Sequence, residues 1–262
     1  MKQNKLLKEI EQESTRLDAI AKEHKWEPPR NPENYILLQK QYSFGTRNYF
    51  SIEEEKYQLY KDLQCSRGMA GATDMSREIS LRIEDVEKRC HVFPRTILDS
   101  KRVEELDSQL DFDKIDSFFE IGFREPTLIE YYETKYDIDS QGCDVNNLSV
   151  MISQYLGYNV EMYDLNFSEK PFVLPKKCLV VAYHVFEHLV SPLESLQQVY
   201  DAMDEESLLH IEVPIEERNV PNLRYGHLQT FYRQDLQHML DEIGFQILHS
   251  DITQNERHLV RK

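Results

Sequence analysis

The sequence predicts an α/β fold, a doubly wound sheet behind a mainly helical N-terminal extension. Three observations carry this prediction. From Asp116 onward, strand-like and helix-like runs alternate, which is the pattern of a sheet covered by helices on both faces. Within that alternation Cys178, Leu179, Val180, Val181 and Ala182 form an unbroken apolar run, as expected of a strand buried on both sides. Before Asp111 the texture differs, with helical periodicities joined by irregular segments and no alternating strands. The expected division is an extension over 1–110, suited to act as a lid on a substrate pocket, and an α/β domain over 111–262.

Each element follows from local pattern. Leu6, Leu7, Ile10, Leu17, Ile20 and Ala21 stripe a first helix that ends before Pro28 and Pro29, since proline cannot continue a helical ladder. Ser51 and Glu54 make a capping box for a second helix carrying Ile52, Tyr57, Tyr60 and Leu63. Ile79, Ile83 and Val86 stripe a third. Between the first two lies ENYILLQKQYSFGTRNYF, read as an irregular aromatic segment that packs the extension to its neighbour or lines a pocket. The domain then runs as strand 117–121, helix 126–133, strand 139–143, helix 148–156, strand 159–163, strand 178–182, helix 192–203 and strand 208–213. Ser191, Pro192 and Glu194 mark the start of the 192–203 helix. A last helix over 233–243 stops at Gly244, and 245–248 with 258–260 form a terminal hairpin.

Composition narrows the function classes. A formal net charge of −16 repels phosphate backbones, so a long nucleic-acid footprint is disfavoured. No run of about 18 apolar residues is present, and the amino terminus lacks a signal-like apolar core, so the reading expects a cytoplasmic protein without membrane attachment. The four cysteines, Cys65, Cys90, Cys143 and Cys178, form no C-x-x-C pair and read as reduced thiols.

The chemistry-bearing residues fall at strand ends. His184, Glu187 and His188 occupy the turn after the 178–182 strand, and His227 follows the 208–213 strand. In open α/β sheets that edge is where ligands bind. The expected catalytic set is His184, His227, Glu187 and His188, with His184 or His227 as general base for a hydroxyl acceptor. His184, Glu187 and His188 share a helical face and, with His227, are also the set a divalent metal would use; the reading assigns no metal. His210 reads as structural and His238 as a surface residue. An H-x-x-E-H metallopeptidase is set aside, because that motif needs one continuous helix. Glu120, Asp144 and Asp164 lie at the ends of successive strands, and a carboxylate after the second strand can accept both hydroxyls of a ribose.

Six segments together resemble the class I S-adenosylmethionine-dependent methyltransferases over roughly residues 111–255: FFEIGFREP (118–126), GCDVNN (142–147), VEMYDLN (160–166), LVVAYHVFEHLVSP (179–192), LLHIEVP (208–214) and GHLQTFYRQDLQHMLDEIGF (226–245). The resemblance implies a Rossmann-like seven-stranded sheet whose last strand is antiparallel, with S-adenosylmethionine as cofactor. It implies Glu120 and Gly122 under the methionine part, Asp144 with the following Val145 at the ribose, Asp164 and Leu165 at the adenine, and Tyr183 and His184 beside the sulfonium. Similar turns with a later histidine hold metal in ubiquinone-pathway O-methyltransferases and small-RNA 2′-O-methyltransferases; here His184 stands in place of the first glutamate. The sequence departs from the family at its first loop, where Gly122 is followed by Phe123, Arg124, Glu125 and Pro126 instead of further glycines. Phe123 and Arg124 are expected to narrow the site, with Arg124 placed to pair with the methionine carboxylate. The expected activity is O-methylation of a small polar acceptor such as a sugar or nucleotide-linked sugar. N-methylation of a small amine, metal-assisted 2′-O-methylation of RNA, and a degenerate domain that binds without catalysis are the alternatives.

Overall fold

The computed structural model describes residues 2–23, 35–70, 100–222 and 226–262. Its centre is a seven-stranded sheet of order β5-β4-β3-β6-β7-β9-β8, built from β3 (Ser117–Ile121), β4 (Asp139–Asp144), β5 (Asn159–Met162), β6 (Cys178–Tyr183), β7 (Leu208–Pro214), β8 (Gln246–Ile252) and β9 (Asn255–Arg261). The first five are parallel, β9 runs antiparallel to β7, and β8 antiparallel to β9. Strand order reverses at β3, which pairs with β4 on one side and β6 on the other. The crevice at the carboxyl ends of these strands is therefore the expected ligand position.

The apolar runs work because successive residues point to opposite faces and both faces are covered. Phe119, Ile121, Val180, Ala182, Leu209, Ile211 and Val213 pack with Leu196 and Val199 of α6 (Pro192–Ala202) and Leu236, Met239 and Leu240 of α7 (Asp235–Ile243). On the opposite face Phe118, Leu179, Val181 and Leu259 meet Val103 and Leu106 of α3 (Ser100–Asp107) and Leu128, Ile129 and Tyr132 of α4 (Thr127–Tyr136). Helix α5 (Asn147–Leu156) begins at Asn146, whose side chain accepts the Ser149 N–H, and ends at Gly157 in the left-handed region.

The extension is helical in α1 (Lys2–Glu23) and α2 (Glu54–Ala70). The aromatic segment between them, expected to be irregular, is instead an antiparallel hairpin of β1 (Ile36–Tyr42) and β2 (Gly45–Ser51). Gly45 turns it at φ +128°, a conformation most side chains resist. The hairpin docks through tertiary bonds: Phe50 N–H donates to Leu228 O at 2.8 Å, and Arg47 forks onto Asp235 at 2.6 and 2.5 Å. Ile52, Tyr57, Tyr60 and Leu63 are buried, as their spacing predicted. The Glu54 side chain of the expected capping box, and the third helix expected around 79–86, lie outside the described residues.

Gly142 in β4 is a close-approach position. A Cβ there would come 2.8 Å from Ile129 Cδ1, 2.9 Å from the Glu120 carbonyl oxygen and 3.2 Å from Phe123 Cδ1. Because one obstacle is backbone at the sheet centre, Gly142→Ala is expected to destabilise the fold by about 1–3 kcal/mol. Urea unfolding should show a lower midpoint at unchanged slope; an unshifted midpoint would show that the strand yields freely.

Candidate functional site

The carboxyl edge of β3, β4 and β5 presents three carboxylates in different states. Glu120 is 7% exposed, and its Oε2 has no hydrogen-bond partner among the described residues. Burial first, then the charge of Asp144, pushes its carboxyl well above the ordinary range. A buried carboxylate without a cation is costly, so this position favours an ammonium group in its ligand. Asp144 is also buried and raised by desolvation, an effect that backbone N–H groups oppose. Arg124 N donates to its Oδ2 and Asn146 N to its Oδ1, both at 2.7 Å. A carboxylate offers about four acceptor positions, so these two bonds orient Asp144 without exhausting it, as a ribose diol requires.

The GFREP turn keeps this edge open in a way the sequence did not suggest. Phe123 does not narrow the site: it is 3% exposed and packs among Leu128, Ile129 and Tyr132 beneath the sheet. The missing side chain at Gly142 provides its space. Gly122 adopts φ +73° and would place a Cβ 2.5 Å from Val185 Cγ2, so the β6 turn packs directly on the first loop. Arg124 is exposed at φ 44°. Val145 is half-buried between Asp144 and the Asn146 cap.

After β5, Asp164 is held by three partners. Its Oδ1 accepts from the Tyr57 hydroxyl and the Asn166 N–H, both at 3.0 Å. Its Oδ2 lies 3.1 Å from Lys61 Nζ. Leu165 is buried in the core, and its carbonyl accepts from Ser195 and Gln198. Asn166 bridges the parts, donating to the Tyr57 hydroxyl and accepting the Val190 N–H, both at 2.7 Å.

The β6 turn carries the second half of the site. Tyr183 bonds His210 Nδ1 at 2.8 Å and its ring lies under Arg102; His210 is thus the structural histidine expected. The side chain of His238 is exposed and stacks on Phe44. His184, in the left-handed region at φ 55°, places Nδ1 3.2 Å from Glu187 Oε1 and Nε2 3.0 Å from Glu212 Oε1. Burial lowers its pKa, but the two carboxylates outweigh that and hold it at about 9. With an acceptor at each ring nitrogen, His184 is an imidazolium clamp and offers no lone pair, so the expected role as base does not fit it.

Glu187, His188 and His227 do converge: one ligand atom from each lies within 4.8 Å of the others. Phe186–His188 forms a single 3-10 turn that buries Phe186 and Glu187, and it is bound to the 226–229 segment, whose Leu228 and Gln229 N–H groups donate to the Glu187 carbonyl. His188 Nδ1 donates to the Gly226 carbonyl at 3.0 Å, and burial lowers its pKa. This bond fixes the tautomer and leaves the lone pair on Nε2. His227 Nδ1 lies 2.8 Å from Glu216 Oε2. Glu187 is 1% exposed, and its Oε2 has no hydrogen-bond partner among the described residues.

Sequence reasoning missed Glu212, Glu216, Asn166 and the contribution of α2. Only Glu212 had left a signal, as a lone acid inside the apolar run LLHIEVP, where an unpaired charge would be prohibitively costly.

Comparison with known proteins bears on this geometry. Residues 140–250 match a family model described as a methyltransferase domain. Among solved structures, a SAM-dependent methyltransferase from Archaeoglobus fulgidus is 16% identical, with 70% of this chain and 99% of that one covered at a TM-score of 0.48. Human N-acetylserotonin methyltransferase in complex with SAM is 11% identical, covering 88% and 80% at 0.47. A Haloferax volcanii methyltransferase activator complex is 9% identical, covering 63% and 91% at 0.49. No curated protein sequence matches the chain. No helix among the described residues is long and apolar enough to cross a membrane. Residues 140–250 are thus similar to a methyltransferase domain, and this stretch carries Asp144, Asp164 and the Glu187, His188 and His227 cluster.

Proposed function

We propose that this chain is a class I S-adenosylmethionine-dependent methyltransferase, with S-adenosylmethionine as its cofactor, that acts on a hydroxyl of a small polar acceptor such as a sugar or nucleotide-linked sugar. The observation that carries the reading is the convergence of Glu187, His188 and His227 beside the turn whose Val185 packs against Gly122. A hydroxyl must lose its proton as it attacks, and a neutral imidazole beside it accelerates that step. The net charge of −16 favours a small acceptor over RNA.

On this reading Glu120 receives the ammonium of the cofactor, Asp144 the ribose hydroxyls, and Asp164 the adenine. When bound, S-adenosylmethionine supplies a methyl group activated by its sulfonium. The acceptor hydroxyl donates its one hydrogen bond to His188 Nε2, which holds the oxygen for in-line attack, and the neighbouring Glu187 carboxylate favours the imidazolium that forms. His188 takes the proton at Nε2 while its Nδ1–H stays on the Gly226 carbonyl. His227, fixed by Glu216, forms the far wall. His184 keeps Glu187 in position instead of taking part in proton transfer.

His188→Ala should lower kcat by about 100-fold or more toward whichever member of a panel of monosaccharides and nucleotide sugars accepts tritiated methyl. S-adenosylhomocysteine affinity should stay near the wild-type value. Methyl transfer to amines alone, with every hydroxyl compound inert, would remove the O-acceptor reading.

A second reading rests on the same cluster. Metal-binding histidines commonly place their other nitrogen on a carbonyl or carboxylate, as His188 and His227 do with Gly226 and Glu216. Together with the unpartnered Glu187 oxygen this donor set fits a divalent cation, which would polarise the acceptor hydroxyl. Titration calorimetry with Mn²⁺ and Zn²⁺ separates the two: stoichiometric binding that His227→Ala abolishes supports the metal, and absence of binding to the intact protein removes it.

A further inference from the structure

Helix α2 lies along the carboxyl edge, and two of its stripes meet different parts of it. Tyr57 and Lys61, four residues apart, both reach Asp164, and Cys65, four further, is buried. Such spacing puts the three on one helical face. The neighbouring stripe is turned to the acceptor side: the Tyr60 hydroxyl donates to the Gly226 carbonyl at 2.6 Å, and Gln64 occupies the space that a side chain at Gly226 would need.

The contacts at Asp164 are selective in what they leave. Of about four acceptor positions on a carboxylate, Tyr57 and Asn166 occupy those of Oδ1 and Lys61 occupies one on Oδ2. One position on Oδ2 remains. Tyr57 is itself rigid: it is 5% exposed, packs edge-on to Phe167 with centroids 4.5 Å apart, and is bonded to Asn166. A single acceptor position on an immobilised carboxylate matches an exocyclic amino group and rejects a carbonyl oxygen, because the latter would set two acceptors face to face.

We infer that Tyr57 and Lys61, from outside the matched methyltransferase domain, are part of the cofactor site, where they aim Asp164 at the base and set both affinity and base selectivity. This inference rests on the placement of the adenine at Asp164 under the proposed function.

The test uses the full chain and titration calorimetry with two probes, S-adenosylhomocysteine and S-inosylhomocysteine, the latter bearing a carbonyl where adenine has its amino group. The intact protein is expected to prefer the adenine compound. Tyr57→Phe and Lys61→Met should each weaken S-adenosylhomocysteine binding about tenfold, the scale of one hydrogen bond to a charged group, and should shrink the preference between the probes. Lys61→Arg should restore part of both. Lys56→Met, on the same helix in an exposed pair with Glu53, should change neither. Unchanged or tighter binding by both folded variants overturns the inference, as does a weakening equal for the two probes, which marks a merely structural role. If the intact protein binds neither compound, the placement of the cofactor fails as well, which separates that failure from one confined to α2.

Discussion

The structure turns on one buried carboxylate. Glu212, fully buried in β7, faces His184 Nε2 at 3.0 Å, Arg102 Nη2 at 3.1 Å and Arg257 Nε at 2.8 Å through ion pairs, and accepts from Asn255 Nδ2 at 2.7 Å. Burying an ion costs several kcal/mol unless partners surround it, and these come from three places: the β6 turn, α3 and β9. Satisfying Glu212 therefore fixes how the α3 helix and the antiparallel end of the sheet sit on the parallel half. It also fixes His184, whose second nitrogen holds Glu187 with one oxygen turned away from the clamp. The cluster of Glu187, His188 and His227 is the outer end of this buried charge network.

The division of labour along the edge follows. Glu120, Asp144 and Asp164 form a graded row on one side of the β6 turn, from an acid whose Oε2 has no hydrogen-bond partner among the described residues to one held by three bonds. Glu187, His188 and His227 form the other side. Helix α2 touches both, at Asp164 through Tyr57 and Lys61 and at Gly226 through Tyr60. The extension is thereby a structural component of the edge, anchored at its far end by the Arg47–Asp235 fork.

Most of the sheet was legible in the sequence because continuous apolar runs and proline or glycine punctuation are local signals. The 178–182 run, Pro192 and Gly244 all did what local rules require. The hairpin of 36–51 was not legible: its turn, Tyr42 to Gly45, lacks the Asn-Gly or Asp-Gly signature that marks tight hairpins, and its exposed Ile36, Leu37 and Leu38 give no alternation of faces. At the site, the sequence reading put His184, Glu187, His188 and His227 on one sheet edge, and the structure brings ligand atoms of Glu187, His188 and His227 within 4.8 Å of one another. Spacing could not show that His184 points back to Glu212, since that depends on a left-handed residue and on a carboxylate 28 positions away. Nor could it show that Phe123 turns into the core, because that depends on the absence of a side chain at Gly142, on a different strand.

The central claim is that the graded row of carboxylates is the cofactor's cradle, despite a first loop with a single glycine. A crystal structure of the protein with S-adenosylhomocysteine tests it most directly. The account predicts both ribose hydroxyls within hydrogen-bond distance of Asp144, the amino group on Glu120, and the sulfur directed toward the Glu187–His188–His227 cluster. Cofactor bound elsewhere, or with its ribose away from Asp144 and its sulfur remote from that cluster, would contradict it.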